Sequence, residues 1–316
     1  MKYAAKRIAT LLVTMVVVSF LAFLAFDLIS GDPAEMMLGT EATPEALAAL
    51  REEMGLNRPL IVRYGDWLLG FVTGDLGVSY DYYQPVGELL APKILVTLCL
   101  SLLSFAIITV ISIPLGIWSA QRSGGLFGAV HTTGNQLFMA IPPFFTGMIL
   151  SWVFGTILHW FTPGAFPDLL TNFGVAMKHL LFASVAIAVP RIAMTVRMLR
   201  STIRGEQRKS YVRTAISRGN DRSAVLRRHV LKNALVPVVT FLAQTMAEIV
   251  AGGIVVEQVF GIPGLGRMLV VSIANRDYPV VQAIVVILAF WVVLAGTVAD
   301  LVNARIDPRL QLGGDA

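Results

Sequence analysis

Uncharged apolar runs alternate with polar breaks along the whole chain. Residues 8–26 are nineteen positions without a charge, and residues 94–120 and 132–158 are each twenty-seven positions without Asp, Glu, Lys or Arg. Further apolar runs cover 180–199, 234–256 and 279–299. About twenty apolar residues at a helical rise cross a hydrocarbon core of roughly 30 Å. The pattern therefore predicts an all-α protein with six membrane-spanning helices. Lys2, Lys6 and Arg7 precede the first run and place the N-terminus in the cytoplasm. A cleaved signal would have a shorter apolar core ending at small residues; this run closes on Asp27 and reads as a retained first span.

Spans two and three flank Gln121, Arg122 and a Gly-rich turn, and read as a tight pair. Pro114 in one and Pro142-Pro143 in the other read as plain kinks, with hinges as the alternative, tolerated where neighbouring helices satisfy the freed carbonyls. Residues 159–179 read as a short outer loop. Span four contains two charges: Arg197 near its inner end can snorkel, whereas Arg191 lies deeper and needs a partner or water. Glu248 falls near the middle of span five, where a charge is costly unless it faces the bundle interior or a cavity. Arg191 is a candidate partner, making Arg191 and Glu248 an intramembrane pair or part of a pathway. Six spans return the C-terminus to the cytoplasm, with 305–316 as a short tail containing Arg305, Asp307 and Arg309.

Two polar segments break the apolar pattern. Residues 31–92 carry ten acids against the three bases Arg51, Arg58 and Arg63, a sign that suits the outer side. In this lobe Thr43 and Pro44 open a short helix with Leu47, Leu50 and Met54 on one face and Gly55 at its end. A second apolar stretch follows at 59–72; the two surfaces pack on each other or lie at the membrane interface. The chain thus divides into residues 1–93, a first span with an extracytoplasmic lobe, and residues 94–304, a five-helix core. The second polar segment, about 197–235, lies inside that core. It holds eleven Lys or Arg between Arg197 and Lys232 against Glu206 and Asp221, although the whole chain is only +5. A solvated loop obeying the positive-inside rule is the plain explanation. The segment is also ordered into two short helical stretches, the first suited to closure by Gly219, and so forms a knob that another protein could grip.

Composition agrees with a membrane protein: 56% of residues are hydrophobic, 14% charged, and the mean hydropathy is +0.72. The pI of about 9.5 does not indicate nucleic acid, because the basic residues flank apolar spans without interleaved aromatic platforms. The single Cys99 excludes a disulfide within the chain.

The spacing T-A-x-x-x-G-x9-H-x-L, on Thr214, Ala215, Gly219, His229 and Leu231, resembles the EAA loop of ABC importer permeases. Arg213 and Lys232 stand where the general pattern has Glu and Pro. Both changes, with Asn233 and Pro237, resemble the dipeptide, oligopeptide and nickel branch. The segments S-G-D-P-A at 30–34, M-G-L-N-R-P-L at 54–60, G-D-L-G-V-S at 74–79, Thr97-Leu98, and E-Q-V-F-G-I-P-G-L-G-R from Glu257 resemble the same branch in the same order. The resemblance implies a type I ABC importer permease fold in the bacterial or archaeal inner membrane. It implies two ATPase subunits that bind ATP and Mg and dock on the loop, a second homologous permease, and an extracytoplasmic solute-binding protein. Thr214, Ala215 and Gly219 would fit the loop to the ATPase, with Arg213, Arg218 and His229 as polar contacts.

The chain itself offers no nucleotide or catalytic chemistry. No Gly is followed by Lys, so it has no G-x-x-x-x-G-K-[ST] loop. The glycines near Gly261 follow no strand and read as turn glycines. His131, His159, His179 and His229 are scattered without an i, i+4 pair, so a metal site within one segment is not expected, nor is a cofactor in this chain. No G-x-S-x-G or H-E-x-x-H marks a hydrolase. Peptide is the favoured cargo, with nickel or a metal chelate as the alternative. An ATP-independent secondary transporter or channel using Glu248, Arg191 and Asp300 is the reading from another class, and an anionic-lipid clamp is a role the basic loop could hold alongside the first.

Overall fold

The computed structural model describes residues 2–29, 33–38, 43–122 and 124–306. The tail residues Asp307 and Arg309, Glu41, and positions 30–32 of the S-G-D-P-A segment lie outside them. Among the described residues there is no strand, only one antiparallel bridge between Val78 and Pro85. The helices are α1 (Lys2–Ile29), α2 (Pro33–Leu38), α3 (Pro44–Glu53), α4 (Leu60–Thr73), α5 (Val86–Gln121), α6 (Gly125–Ala140), α7 (Pro143–Leu150), α8 (Phe173–Gln207), α9 (Ser210–Ser217), α10 (Arg222–Val225), α11 (Leu231–Phe260), α12 (Leu265–Ala274) and α13 (Tyr278–Ile306). Wider π-helical turns extend α7 over Ser151–Ile157 and join α10 to α11 over Leu226–Val230.

Among the described residues, five helices are long and apolar enough to cross a membrane, and α6 with α7 and its π extension makes a sixth only when the bent pair is counted as one span. That pair is not a kinked rod. It bends by 92° between Ala140 and Pro143, because Pro142 and Pro143 both lack the N–H that would continue the ladder. The expectation of a plain kink is corrected there. The outer loop before span four is also shorter than expected, since α8 starts at Phe173 and takes in residues up to His179. Helices outrun their apolar cores because the ends of a span stand in the polar headgroup region, where charged residues continue the same ladder.

The core is organised by α8, packed between α5 and α11 and flanked by α6 and α7. Its buried face includes Ala176, Ala183, Ala186, Ala188, Ala193, Ser184 and Thr195. Apolar burial gives no driving force between helices already in lipid, so close van der Waals contact through small residues does this work. Gly116 of α5 shows the constraint: a Cβ there would stand 2.7 Å from Leu199 Cδ2. Helix α1 packs on α13 at the edge of the bundle, and an Arg7–Asp300 ion pair of 3.1 Å ties the start of α1 to the end of α13.

Thr43 Oγ1 accepts the Ala46 N–H at 3.2 Å, capping α3 behind Pro44 at its first turn. In the lobe α3 buries no residue completely, and α4 turns its aromatic face onto α1. Tyr64 packs edge-on to Phe20 and Phe23, its hydroxyl 2.9 Å from Ser19 Oγ, while Arg63 meets Asp27 at 2.7 Å. Behind α4, the hairpin at 77–86 is held to the α12–α13 turn. Ser79 Oγ donates to the buried Asp277, and the Tyr80 N–H donates to Asp277 Oδ1 at 3.0 Å. Burial and the Asp277 charge push the Tyr80 hydroxyl up to about 12.

Candidate functional site

The basic knob is built by α9, a turn and α10, projecting between the ends of α8 and α11. Val212, Val225, Leu226 and Val230 are buried in the bundle core, so the apolar faces of both short segments point inward. What remains outside is Arg213, Thr214, Arg218, Gly219 and His229, all exposed. Gly219 has φ +82°, a left-handed conformation that β-carbon sterics penalise in other residues, and nothing lies within 4 Å of where a Cβ would be. The reversal is completed by polar caps. Asn220 Nδ2 donates to the Ala215 carbonyl at 3.0 Å, and Asp221 accepts the Ser223 and Ala224 N–H groups at 2.9 and 3.3 Å to start α10.

A second set of bonds fixes the knob to the spanning helices. Tyr211 Oη donates to Glu206 Oε2 at 2.7 Å and accepts from Asn233 Nδ2 at 3.2 Å. Lys209 Nζ meets the other Glu206 oxygen at 2.5 Å. Burial, the largest effect, raises the Tyr211 hydroxyl above its ordinary pKa and keeps it a donor. The end of α8, the start of α9 and the start of α11 are thus linked through one phenol.

The structure divides the sequence-predicted loop residues into two groups. The exposed ones named above form an outward face. Ala215 and Leu231 are half-buried against the core, Asn233 belongs to the Tyr211 bracket, and Pro237 lies inside α11 rather than on the loop. Glu206 and Tyr211 were missed as parts of this bracket; the only sequence signal was Glu206 being one of two acids in a basic stretch.

Within the bundle, Arg191 of α8 and Glu248 of α11 do meet: Arg191 Nη1 donates to Glu248 Oε2. Their side chains are 19% and 46% exposed, so the pair does not lie in a sealed core. At the opposite end of α11 from the knob, Thr97 Oγ1 donates to the buried Glu257 at 2.7 Å and accepts the Leu265 N–H at 2.8 Å, while the Arg267 N–H donates to Glu257 at 2.9 Å. Sequence motifs at Thr97 and Glu257 are therefore one contact in space. His179 is buried among Phe161, Phe166 and Phe260. Among the described residues, no three His, Cys, Asp or Glu side chains group closely enough to hold a metal ion.

Comparison with known families matches residues 112–312 to the binding-protein-dependent transport system inner membrane component, and residues 1–101 to the N-terminal region of such membrane components. Among individual relatives, a probable peptide ABC transporter permease protein of Sinorhizobium fredii is 33% identical over 311 residues, covering 98% of this chain and 99% of the relative. The oligopeptide transport system permease protein of Bacillus subtilis is 35% identical over 297 residues, covering 93% and 94%. The dipeptide transport system permease protein of Alkalihalophilus pseudofirmus is 30% identical over 330 residues, covering 98% and 99%.

Proposed function

This chain belongs to the family of binding-protein-dependent transport system inner membrane components, and we propose that it is the membrane-spanning permease subunit of an ATP-driven importer of peptides. The observation that carries the reading is the knob at 210–230, a basic outward face joined to α8 and α11 through Glu206, Tyr211 and Asn233. A contact made on Arg213, Thr214 and Arg218 is transmitted to two spanning helices without passing through a flexible linker. The chain has no phosphate-binding loop of its own, so nucleotide chemistry belongs to separate ATPase subunits that bind ATP and Mg. Closure of an ATPase pair would draw the knobs together and favour one of two packings of the helices, a population shift between inward- and outward-open states. A second, homologous permease completes the pathway, and a solute-binding protein delivers cargo to the lobe side.

The knob end is the cytoplasmic end. Both the basic island and the first basic cluster lie there under the positive-inside rule, and the Arg7–Asp300 contact brings the end of α13 to the same side. Peptide is favoured over nickel or a metal chelate because the relatives described above carry peptide names. Purification of the tagged chain from its host in mild detergent tests the assembly: an ATPase and a second permease in stoichiometric amounts support it, and a chain recovered alone that transports without ATP contradicts it.

A further inference from the structure

Helices α6 and α8 leave a cleft between them near the knob end. It consists of two neighbouring cavities of about 220 and 520 Å³ that share Thr132, Arg197 and Arg200 as lining. Arg204 and Arg208 continue the wall, and among the described residues no carboxylate lines either cavity. Positions 197, 200, 204 and 208 follow the three- and four-residue spacing that stacks side chains along one helix face, where like charges repel. The structure holds part of this ladder in place: Arg200 Nη1 donates to Thr132 Oγ1 at 2.7 Å, while Arg200 Nε is buried without a hydrogen-bond partner. A row of guanidiniums braced around a cavity with no acid matches the geometry that receives phosphate oxygens.

We propose that this cleft binds the phosphate of an anionic phospholipid headgroup. A lipid, rather than an acidic protein segment, is favoured by the setting. The cleft opens between membrane-spanning helices, and α6 stands at the periphery of the bundle with Leu126 82% exposed and Val130 and Leu137 also exposed. An anion bearing acyl chains satisfies both surfaces at once. Basic pockets between spanning helices at the cytoplasmic face are a general means of holding acidic headgroups. The inference depends on the chain's spanning a membrane and not on its being an importer. A bound lipid here would brace α6 against α8 beside the segment that enters the knob.

The test uses the full chain with whatever subunits accompany it, in nanodiscs of phosphatidylglycerol and phosphatidylcholine, with retained lipid counted by native mass spectrometry. The wild type is expected to hold phosphatidylglycerol in preference to phosphatidylcholine. Arg197→Gln with Arg200→Gln is expected to lower that retention by about thirtyfold, the combined effect of two basic residues at a lipid surface. Arg197→Gln alone, at an exposed position, gives a smaller loss in the same direction and guards against misfolding of the double variant. Equal retention by wild type and both variants overturns the proposal. So does release of the lipid by millimolar inorganic phosphate, which would make the site one for the free anion. Loss of lipid on assembly with the other subunits would assign the cleft to a protein carboxylate and also overturn it.

Discussion

Arg191 and Glu248 form an ion pair between α8 and α11 across 57 residues of sequence. Removal of one partner leaves a charge uncompensated in a low-dielectric setting, whereas removal of both does not. Glu248→Met is therefore expected to destabilise the protein by about 1–3 kcal/mol, below the usual value for a sealed pair because Glu248 is partly exposed. Arg191→Met combined with Glu248→Met should recover most of that loss. Unfolding in detergent across the four-protein cycle checks this, and additive single effects would contradict it.

Gly219 combines a left-handed backbone with open space around its Cβ position. Gly219→Ala is expected to cost about 1–2 kcal/mol from backbone conformation alone, and Gly219→Asn less. Gly219→Trp should still fold, because nothing lies within 4 Å of the Cβ position and the strain is that of the backbone, but should hydrolyse ATP without peptide uptake in the reconstituted complex. Wild-type uptake by that variant would detach the knob from coupling.

Tyr211→Phe removes the donor to Glu206 and the acceptor for Asn233 together. Hydrogen exchange should show faster amides across α9, consistent with a loss of about 1 kcal/mol per hydrogen bond, while the middle of α8 is unchanged. Unaltered exchange in α9 would show that apolar contacts alone hold the knob.

The apolar runs revealed the spanning helices because lipid demands long uncharged helices, a requirement visible residue by residue. The 92° bend between α6 and α7 was present in the sequence as Pro142-Pro143, but two prolines alone do not state how far a helix turns. The partner of Arg191 was readable because a charge in a span needs another and Glu248 was the nearest available in the neighbouring spans. The contacts of Tyr211 with Asn233, Thr97 with Glu257, and Ser79 with Asp277 were not readable. They join positions 22, 160 and 198 residues apart, and hydroxyl and amide side chains carry no periodic signal to show which distant group they meet.

Asp277→Ala would leave the Ser79 hydroxyl and the Tyr80 N–H without their acceptor in a buried site. A destabilisation of about 2–3 kcal/mol is expected, together with faster protease cleavage within 77–86. Asp277→Asn, which keeps one acceptor oxygen, should lose less. Equal cleavage rates in all three proteins would show that the hairpin is held by other contacts.

Asp168, in the loop before α8, accepts the Thr171 N–H at 2.8 Å and the Thr171 hydroxyl at 3.0 Å, and these bonds lower its pKa below the ordinary 3.8. A depressed carboxylate stabilises the folded loop fully above its unfolded value, and this contribution is lost as pH falls below 3.8 through the folded value. Protection of the Thr171 amide should be flat above that range and weaken below it. Asp168→Asn should remove the acid dependence, and its persistence would place the titrating group elsewhere.

The most direct measurement is peptide uptake by proteoliposomes holding the purified complex of this chain. The account predicts accumulation that requires ATP, rises with a peptide-loaded binding protein, and stops when Gly219→Trp is introduced while hydrolysis continues. Uptake without ATP, driven by an ion gradient and indifferent to Gly219 but abolished by Glu248→Gln, would contradict it and give the mechanism to the charges within the membrane.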